Sequence, residues 1–206
     1  MATPPSPPSD RVLLVEGPDD KHVIRHLRDR HQLNPTFSIS DKGNIDKVLD
    51  SINPEIKTPG RLAVGVLVDA NDDLKARWKA ITDRLRKANI QAPSSPDPTG
   101  TIIECQPRIG IWLMPDNSMP GELENFVIHM IPDGDPIWPQ SQRYIDSIPE
   151  ADRKFSQGKT QRAQLHAWLA TREDPRKMGL AIGVCDLNIS GTLCQDLIAW
   201  LKRLFA

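Results

Sequence analysis

Three cysteines in 206 residues, Cys105, Cys185 and Cys194, are odd in number and share no CxxC spacing. They argue against a disulfide framework and a cysteine-built zinc site, and they fit a reducing cytoplasm. Long apolar runs are missing as well: none reaches the roughly 18 residues that cross a bilayer. Residues 1–9 carry neither the basic nor the apolar region of a signal peptide, so no membrane partner is expected and residues 1–10 read as a disordered, proline-rich tail. An excess of positive charge is also absent, with 26 basic against 27 acidic residues. Nucleic acid gripped by phosphate neutralisation alone normally meets a basic face. Here local patches or metal ions would have to supply the attraction. The patches on offer are Lys75, Arg77, Lys79, Arg84, Arg86 and Lys87 on one predicted helix, and Lys154, Lys159 and Arg162 on another, each of which also reads as an ordinary solvated face. No GxGxxG follows a strand, which disfavours a dinucleotide fold, and no serine, cysteine and histidine arrangement calls for a nucleophilic mechanism.

What is present is an alternation of short strands and helices. Residues 11–16 form an apolar strand, followed by a helix over 19–30 with Val23, Ile24 and Leu27 in a stripe. A short strand at 37–40 leads through Lys42-Gly43-Asn44 to a second helix marked by Ile45, Val48, Leu49 and Ile52. Leu62, Val64, Val66 and Val68 build a third strand over 61–68, and Trp78, Ile81, Leu85 and Ala88 mark a helix over 74–89. This order predicts an α/β fold with a mostly parallel sheet flanked by helices. Thr101 to Cys105 and Arg108 to Met114 read as a hairpin or two consecutive strands, and a helix opens at Glu122-Leu123-Glu124. Beyond Pro132 the pattern turns helical, with helices over 159–171 and 191–205, while 180–185 reads equally as strand or loop. At this length one substantial core is expected, with 11–131 as the α/β domain and 132–206 as a helical extension packed on it.

Two strands end in acids. The first delivers Glu16 to Gly17, with Asp20 four residues on; the third ends in Asp69-Ala70-Asn71-Asp72-Asp73. In an open α/β sheet ligands gather outside the carboxyl ends of the strands, so these acids point to a shared cation site. Asp19, Asp20, Asp72 and Asp73 each carry a plainer reading as helix caps. Glu16 does not, because a carboxylate before a glycine at a strand end has no cap to make. Asp116 ends another apolar run and also reads as a turn residue. His22 and His26 have the spacing of a zinc pair but lack the glutamate of HExxH. The tryptophans at 78, 112, 138, 168 and 200 have faces for base stacking, but 78, 168 and 200 fall on helices where core packing accounts for them.

Val15-Glu16-Gly17, Asp20, the acidic tip at Asp69, the turn Lys42-Gly43-Asn44 and the pair Leu123-Glu124 together resemble a TOPRIM domain, and within that superfamily the compact proteins related to the OLD nucleases. The resemblance covers about residues 11–130. It implies a Rossmann-like sheet and metal-dependent phosphodiester chemistry on nucleic acid. Glu16 and Asp69 would hold one Mg²⁺ or Mn²⁺ with Asn71 or Asp72, and Asp20 and Glu124 would help hold a second, with Asp116 as a further candidate. Lys159 would match the basic residue near the transition state. Where the family pattern has a second acid this chain has Asn71, which offers an oxygen without charge. Either Asp72 substitutes or the metal is held more weakly, which leaves a non-catalytic binding or regulatory module as the other expectation. A single tyrosine, Tyr144, and the short chain argue against topoisomerase activity, and no zinc-binding element suggests a primase.

Overall fold

Alternating apolar residues make each predicted strand two-faced, and the computed structural model, which describes residues 10–34 and 36–206, shows both faces covered. The predicted tail therefore lies outside the described residues, apart from Asp10. In chain order the elements begin β1 (Arg11–Val15), α1 (Pro18–Arg30), β2 (Ser38–Asp41), α2 (Ile45–Ile56), β3 (Ala63–Asp69) and α3 (Leu74–Lys87). There follow β4 (Thr101–Ile103), β5 (Arg108–Met114), α4 (Leu123–Ile128), α5 (Trp138–Ser147), α6 (Thr160–Ala170), α7 (Met178–Gly183) and α8 (Thr192–Phe205). Among the described residues no helix is long and apolar enough to cross a membrane.

The five strands lie in the order β2-β1-β3-β5-β4, parallel except for β4, which pairs antiparallel with β5. The 101–114 region is thus an antiparallel pair at the sheet edge. From β1 the chain moves outward to β2, then crosses back over β1 to reach β3. The winding direction reverses between β1 and β3, and there the loops leaving neighbouring strands part to opposite faces and open a crevice.

Strand residues divide by parity. Val12, Leu14, Val64, Val66, Val68, Ile109, Ile111 and Leu113 pack under α2 and α3, joined by Val48, Ile52, Trp78, Ile81 and Leu85. Leu13, Val15, Leu67, Trp112 and Met114 face a larger core built from α1, α4 and the C-terminal helices. One-residue alternation is what sends each set to its own layer.

The C-terminal helix α8 is part of that second layer. A Cβ on Gly65 would stand 2.6 Å from Leu13 Cδ1 and 2.9 Å from Leu204 Cδ2, and one on Gly110 would stand 2.6 Å from Leu204 Cδ2. Bare backbone at β3 and β5 lets α8 lie against the sheet, and Trp200 Nε1 donates to the Thr101 carbonyl at 3.1 Å. The ambiguous stretch at 180–185 is largely helical: α7 covers Met178–Gly183 and presses its glycines onto α1. A Cβ on Gly179 or Gly183 would come within 2.8 Å of the His22 or His26 ring. The two imidazoles meet edge to face with Nε2 atoms 3.2 Å apart. Trp78, Trp112, Trp168 and Trp200 are buried, so their rings serve packing.

Candidate metal centre at the strand tips

Glu16 follows the last residue of β1 and Asp69 ends β3, so both acids stand at the same edge, at the reversal point. Pairing of Val15 with Leu67 sets the register, and it brings the Glu16 carboxylate over the next peptide: Glu16 Oε1 accepts from the Asp69 N–H at 3.0 Å. Asp69 Oδ1 in turn accepts from the Leu123 N–H at 2.9 Å, at the opening of α4. Asp20 sits in the first turn of α1 and folds back, Oδ2 accepting from the Gly17 N–H at 3.0 Å. Its other oxygen, Oδ1, is buried with no hydrogen-bond partner, although the residue is only 7% exposed.

These side chains line one cavity of about 310 Å³ with Gly17, Asp19, Gly43, Asn44, Leu123, Glu124 and Arg162. The turn Lys42-Gly43-Asn44 thus reaches the site through two of its residues. Crowded acids raise one another's affinity for protons. Burial, then the neighbouring Asp20, Glu16 and Glu124 charges, push Asp69 up to about 8. Burial and Glu16 push Asp20 to about 7, against the pull of the Gly17 N–H. Glu16 is raised by burial and by Glu122, opposed by the Asp69 N–H and by Arg77.

Other predicted residues stand elsewhere. Asn71 adopts φ 53 and bridges to Gly121 through two backbone hydrogen bonds of 2.8 Å. Oriented so that its amide meets complementary groups, it accepts from Arg77 Nη2 at 2.9 Å and donates to Glu122 Oε1 at 3.2 Å. Asn71, Asp72 and Asp73 line a separate depression with Arg77, outside the acid cavity. Asp73 caps α3 by accepting from the Ala76 N–H at 2.9 Å, and Asp72 is exposed. Asp116 accepts from the Ser118 and Met119 N–H groups at 2.9 Å and closes a turn. Lys159 pairs with Glu122.

Two contributors were not expected at the acid site, although Arg77 was named in a basic patch. Glu122 links Lys159 to the acid cluster, and Arg77 donates from Nε to the Asp69 carbonyl at 2.9 Å. Both lay in view, Glu122 beside the flagged Leu123-Glu124 pair and Arg77 inside a basic helix, but nothing in their spacing separates them from surface charges. A larger cavity of about 660 Å³ lies between α3 and residues 90–96. Of its three cations, Lys75, Lys79 and Arg86, the last two are engaged by Asp83, and no carboxylate lines it. The carboxylates line the smaller one.

Hard oxygen donors suit Mg²⁺ or Mn²⁺, and a buried carboxylate oxygen with no partner is an open coordination position. By donor chemistry Glu16, Asp20, Asp69 and Glu124 fit such an ion. In their present rotamers, among the described residues, no three His, Cys, Asp or Glu side chains converge closely enough to hold one. One oxygen of each of Glu16, Asp69 and Asp20 accepts from a backbone N–H and Glu124 Oε1 faces Arg162, so the second oxygens are the ones left to an ion, and bringing three of them to one ion requires side-chain rotation.

The family model that matches, described as a protein of unknown function (DUF3226), covers residues 10–206. The chain belongs to the DUF3226 family. No curated protein and no solved structure matches it. The matched span takes in the acidic strand tips and α8 alike, so the DUF3226 unit includes the C-terminal helices that close the second layer of the sheet.

Proposed function

We propose that the protein carries out divalent-metal-dependent phosphodiester chemistry on nucleic acid, as a nuclease of TOPRIM and OLD type. The observation that carries this reading is the unpartnered Asp20 Oδ1, buried in a crevice that Glu16, Asp69 and Glu124 also line at the reversal point of the sheet. Structural acids are normally given donors or counter-ions. This cluster holds more carboxylates than its partners balance, a condition met by proton uptake in the metal-free chain and relieved by a cation.

Glu16 and Asp69 would hold the ion, with Asp20 and Glu124 completing its oxygen shell or holding a second. A bound Mg²⁺ or Mn²⁺ would polarise a phosphoryl oxygen and lower the pKa of a bound water. Arg77 backs the site from the far side, held by the Asp69 carbonyl and by Asn71, and steadies the Glu16 carboxylate electrostatically. Lys159, which pairs with Glu122 one residue before the start of α4 and does not itself line the cavity, would by the family resemblance be the cation for the reacting phosphate. Near-neutral net charge makes metal ions the main source of attraction for the nucleic-acid backbone. Three unpaired cysteines support a cytoplasmic setting.

The non-converged rotamers favour a second reading, a TOPRIM-like binding or regulatory module without turnover. A cleavage assay on mixed DNA and RNA with Mg²⁺ or Mn²⁺, run beside Glu16→Gln, separates the two. The native chain is expected to cleave and the variant to lose at least about 100-fold, on the scale of removing a group that stabilises developing charge. Relief of acid repulsion should leave the metal-free variant as stable as the native chain, or slightly more so. A native chain that binds Mn²⁺ without cleaving any substrate establishes the module instead.

A further inference from the structure

The four carboxylates of the cavity are held in two ways. Glu16, Asp20 and Asp69 rest on backbone N–H groups, whereas Glu124 is held by a side chain from the C-terminal part of the chain: Arg162 Nε lies 3.1 Å from Glu124 Oε1. Of the residues that line the cavity, Arg162 alone carries positive charge, against Glu16, Asp19, Asp20, Asp69 and Glu124.

The pair is unequal in burial. The Glu124 side chain is 7% exposed and that of Arg162 is 46% exposed. Moving Glu124 away would strand a charge in a dry place; Arg162 can turn its head into water at little cost. The contact is a hinge with one fixed side. Around it the openings of α4 and α6 form a polar seam, with Lys159 on Glu122 and Asn125 Nδ2 donating to Gln161 Oε1, so α6 stays in place when Arg162 lets go.

We propose that Arg162 is a displaceable counter-ion: it occupies Glu124 in the metal-free site, yields that carboxylate to a divalent cation, and passes its guanidinium to a phosphate group. The inference rests on the metal-dependent reading above. A cation entering between Glu16, Asp20 Oδ1 and Asp69 repels the guanidinium and attracts Glu124. The freed guanidinium keeps a planar fork that matches two phosphate oxygens, which a lysine at the same place does not offer. Metal and phosphate then bind with positive coupling, since each takes one partner of the same ion pair, and the coupling is reciprocal.

The test is calorimetric titration of the full chain with Mg²⁺, with and without inorganic phosphate, for the native protein, R162Q and R162K. R162Q removes the competitor and should bind Mg²⁺ about tenfold more tightly, whereas phosphate should tighten Mg²⁺ roughly fivefold in the native chain and not at all in R162Q. R162K should keep near-native Mg²⁺ affinity and lose most of the phosphate coupling, and it carries the test if R162Q does not fold. Mg²⁺ bound with equal affinity by the native chain and R162Q, or full coupling retained in R162K, overturns the counter-ion role and leaves the metal reading standing. No Mg²⁺ binding by any of the three overturns both.

Discussion

Asp135 and Asp20 are both aspartates taken out of water near the start of a helix, and the fold treats them oppositely. Asp135 Oδ1 accepts from the Ile137 and Trp138 N–H groups at 2.8 and 2.9 Å and from Trp168 Nε1 at 3.1 Å, while Arg172 lies 3.6 Å from its other oxygen. Burial pushes its pKa upward, yet these donors and the arginine outweigh it and leave the carboxyl below its ordinary value. Asp20 has backbone N–H groups but, among the described residues, no counter-ion, an oxygen without a hydrogen-bond partner and acids for neighbours. An acid the fold needs as structure is surrounded with partners. One left short of them, beside others raised in the same way, marks a place where stability is given up for something that binds.

The largest effect expected from this contrast is at Asp135. Replacing it by alanine orphans the Trp168 indole N–H and two helix-opening N–H groups and removes the partner of Arg172, which itself lies over the Trp168 ring at 4.0 Å. A loss of about 3 kcal/mol is expected from urea unfolding. A loss under about 1 kcal/mol would break the comparison, since Asp135 would then be no more structural than a surface acid.

Next comes the pH dependence of the metal-free chain. Asp20 and Asp69 have folded pKa values of about 7 and 8, above the 3.8 of the unfolded chain. Through that interval the folded state binds more protons than the unfolded state, so their contribution is full below pH 3.8 and declines until pH passes 8. Asp135 runs the other way: its contribution is present above 3.8 and is lost as pH falls through its lowered value. Melts in chelator should therefore show stability falling from pH 5 to 9 by roughly 3 kcal/mol for each raised acid. Asp20→Asn should flatten the slope, and Mn²⁺ should restore much of what high pH removes. A slope unchanged by Asp20→Asn would place the raised affinity elsewhere.

The parallel sheet and the pairing of strand tips were legible because both follow from short-range pattern. Alternation named the strand faces, and a carboxylate placed where no cap is needed named Glu16. Glu124 was reached through resemblance, and the structure puts it on the same cavity. What pattern did not carry was side-chain direction after a turn. Asn71 and Asp72 follow Asp69 closely in sequence, but the left-handed backbone at Asn71 and its bridge to Gly121 turn that segment to a different depression. The pairings of Lys159 with Glu122 and Arg162 with Glu124 join residues 37 and 38 positions apart, and no local rule links them. The stretch at 180–185 resisted assignment for a related reason: its glycine, Gly183, and Gly179 just before it are set by contact with α1, which lies more than 140 residues earlier.

The smallest expected effect sharpens the comparison at a third aspartate. Asp116 stands beyond β5, close to the same edge of the sheet as Glu16 and Asp69, and position alone makes it a ligand candidate. Its bonds say otherwise, for Oδ1 accepts from the Ser118 and Met119 N–H groups and the side chain does not line the acid cavity. It resembles Asp135 on a small scale, an acid with donors at a half-exposed turn, where water replaces much of what is lost. Asp116→Ala should cost about 1 kcal/mol in unfolding and leave Mn²⁺ affinity unchanged, because neither the charge nor the geometry of the cavity depends on it. Asp20→Asn measured alongside should do the reverse, keeping or raising stability in chelator and weakening Mn²⁺ binding about tenfold or more, since it replaces a charged oxygen donor with a neutral amide. If Asp116→Ala weakens Mn²⁺ binding while stability holds, strand-end position outranks hydrogen-bond satisfaction as the mark of a functional acid in this fold.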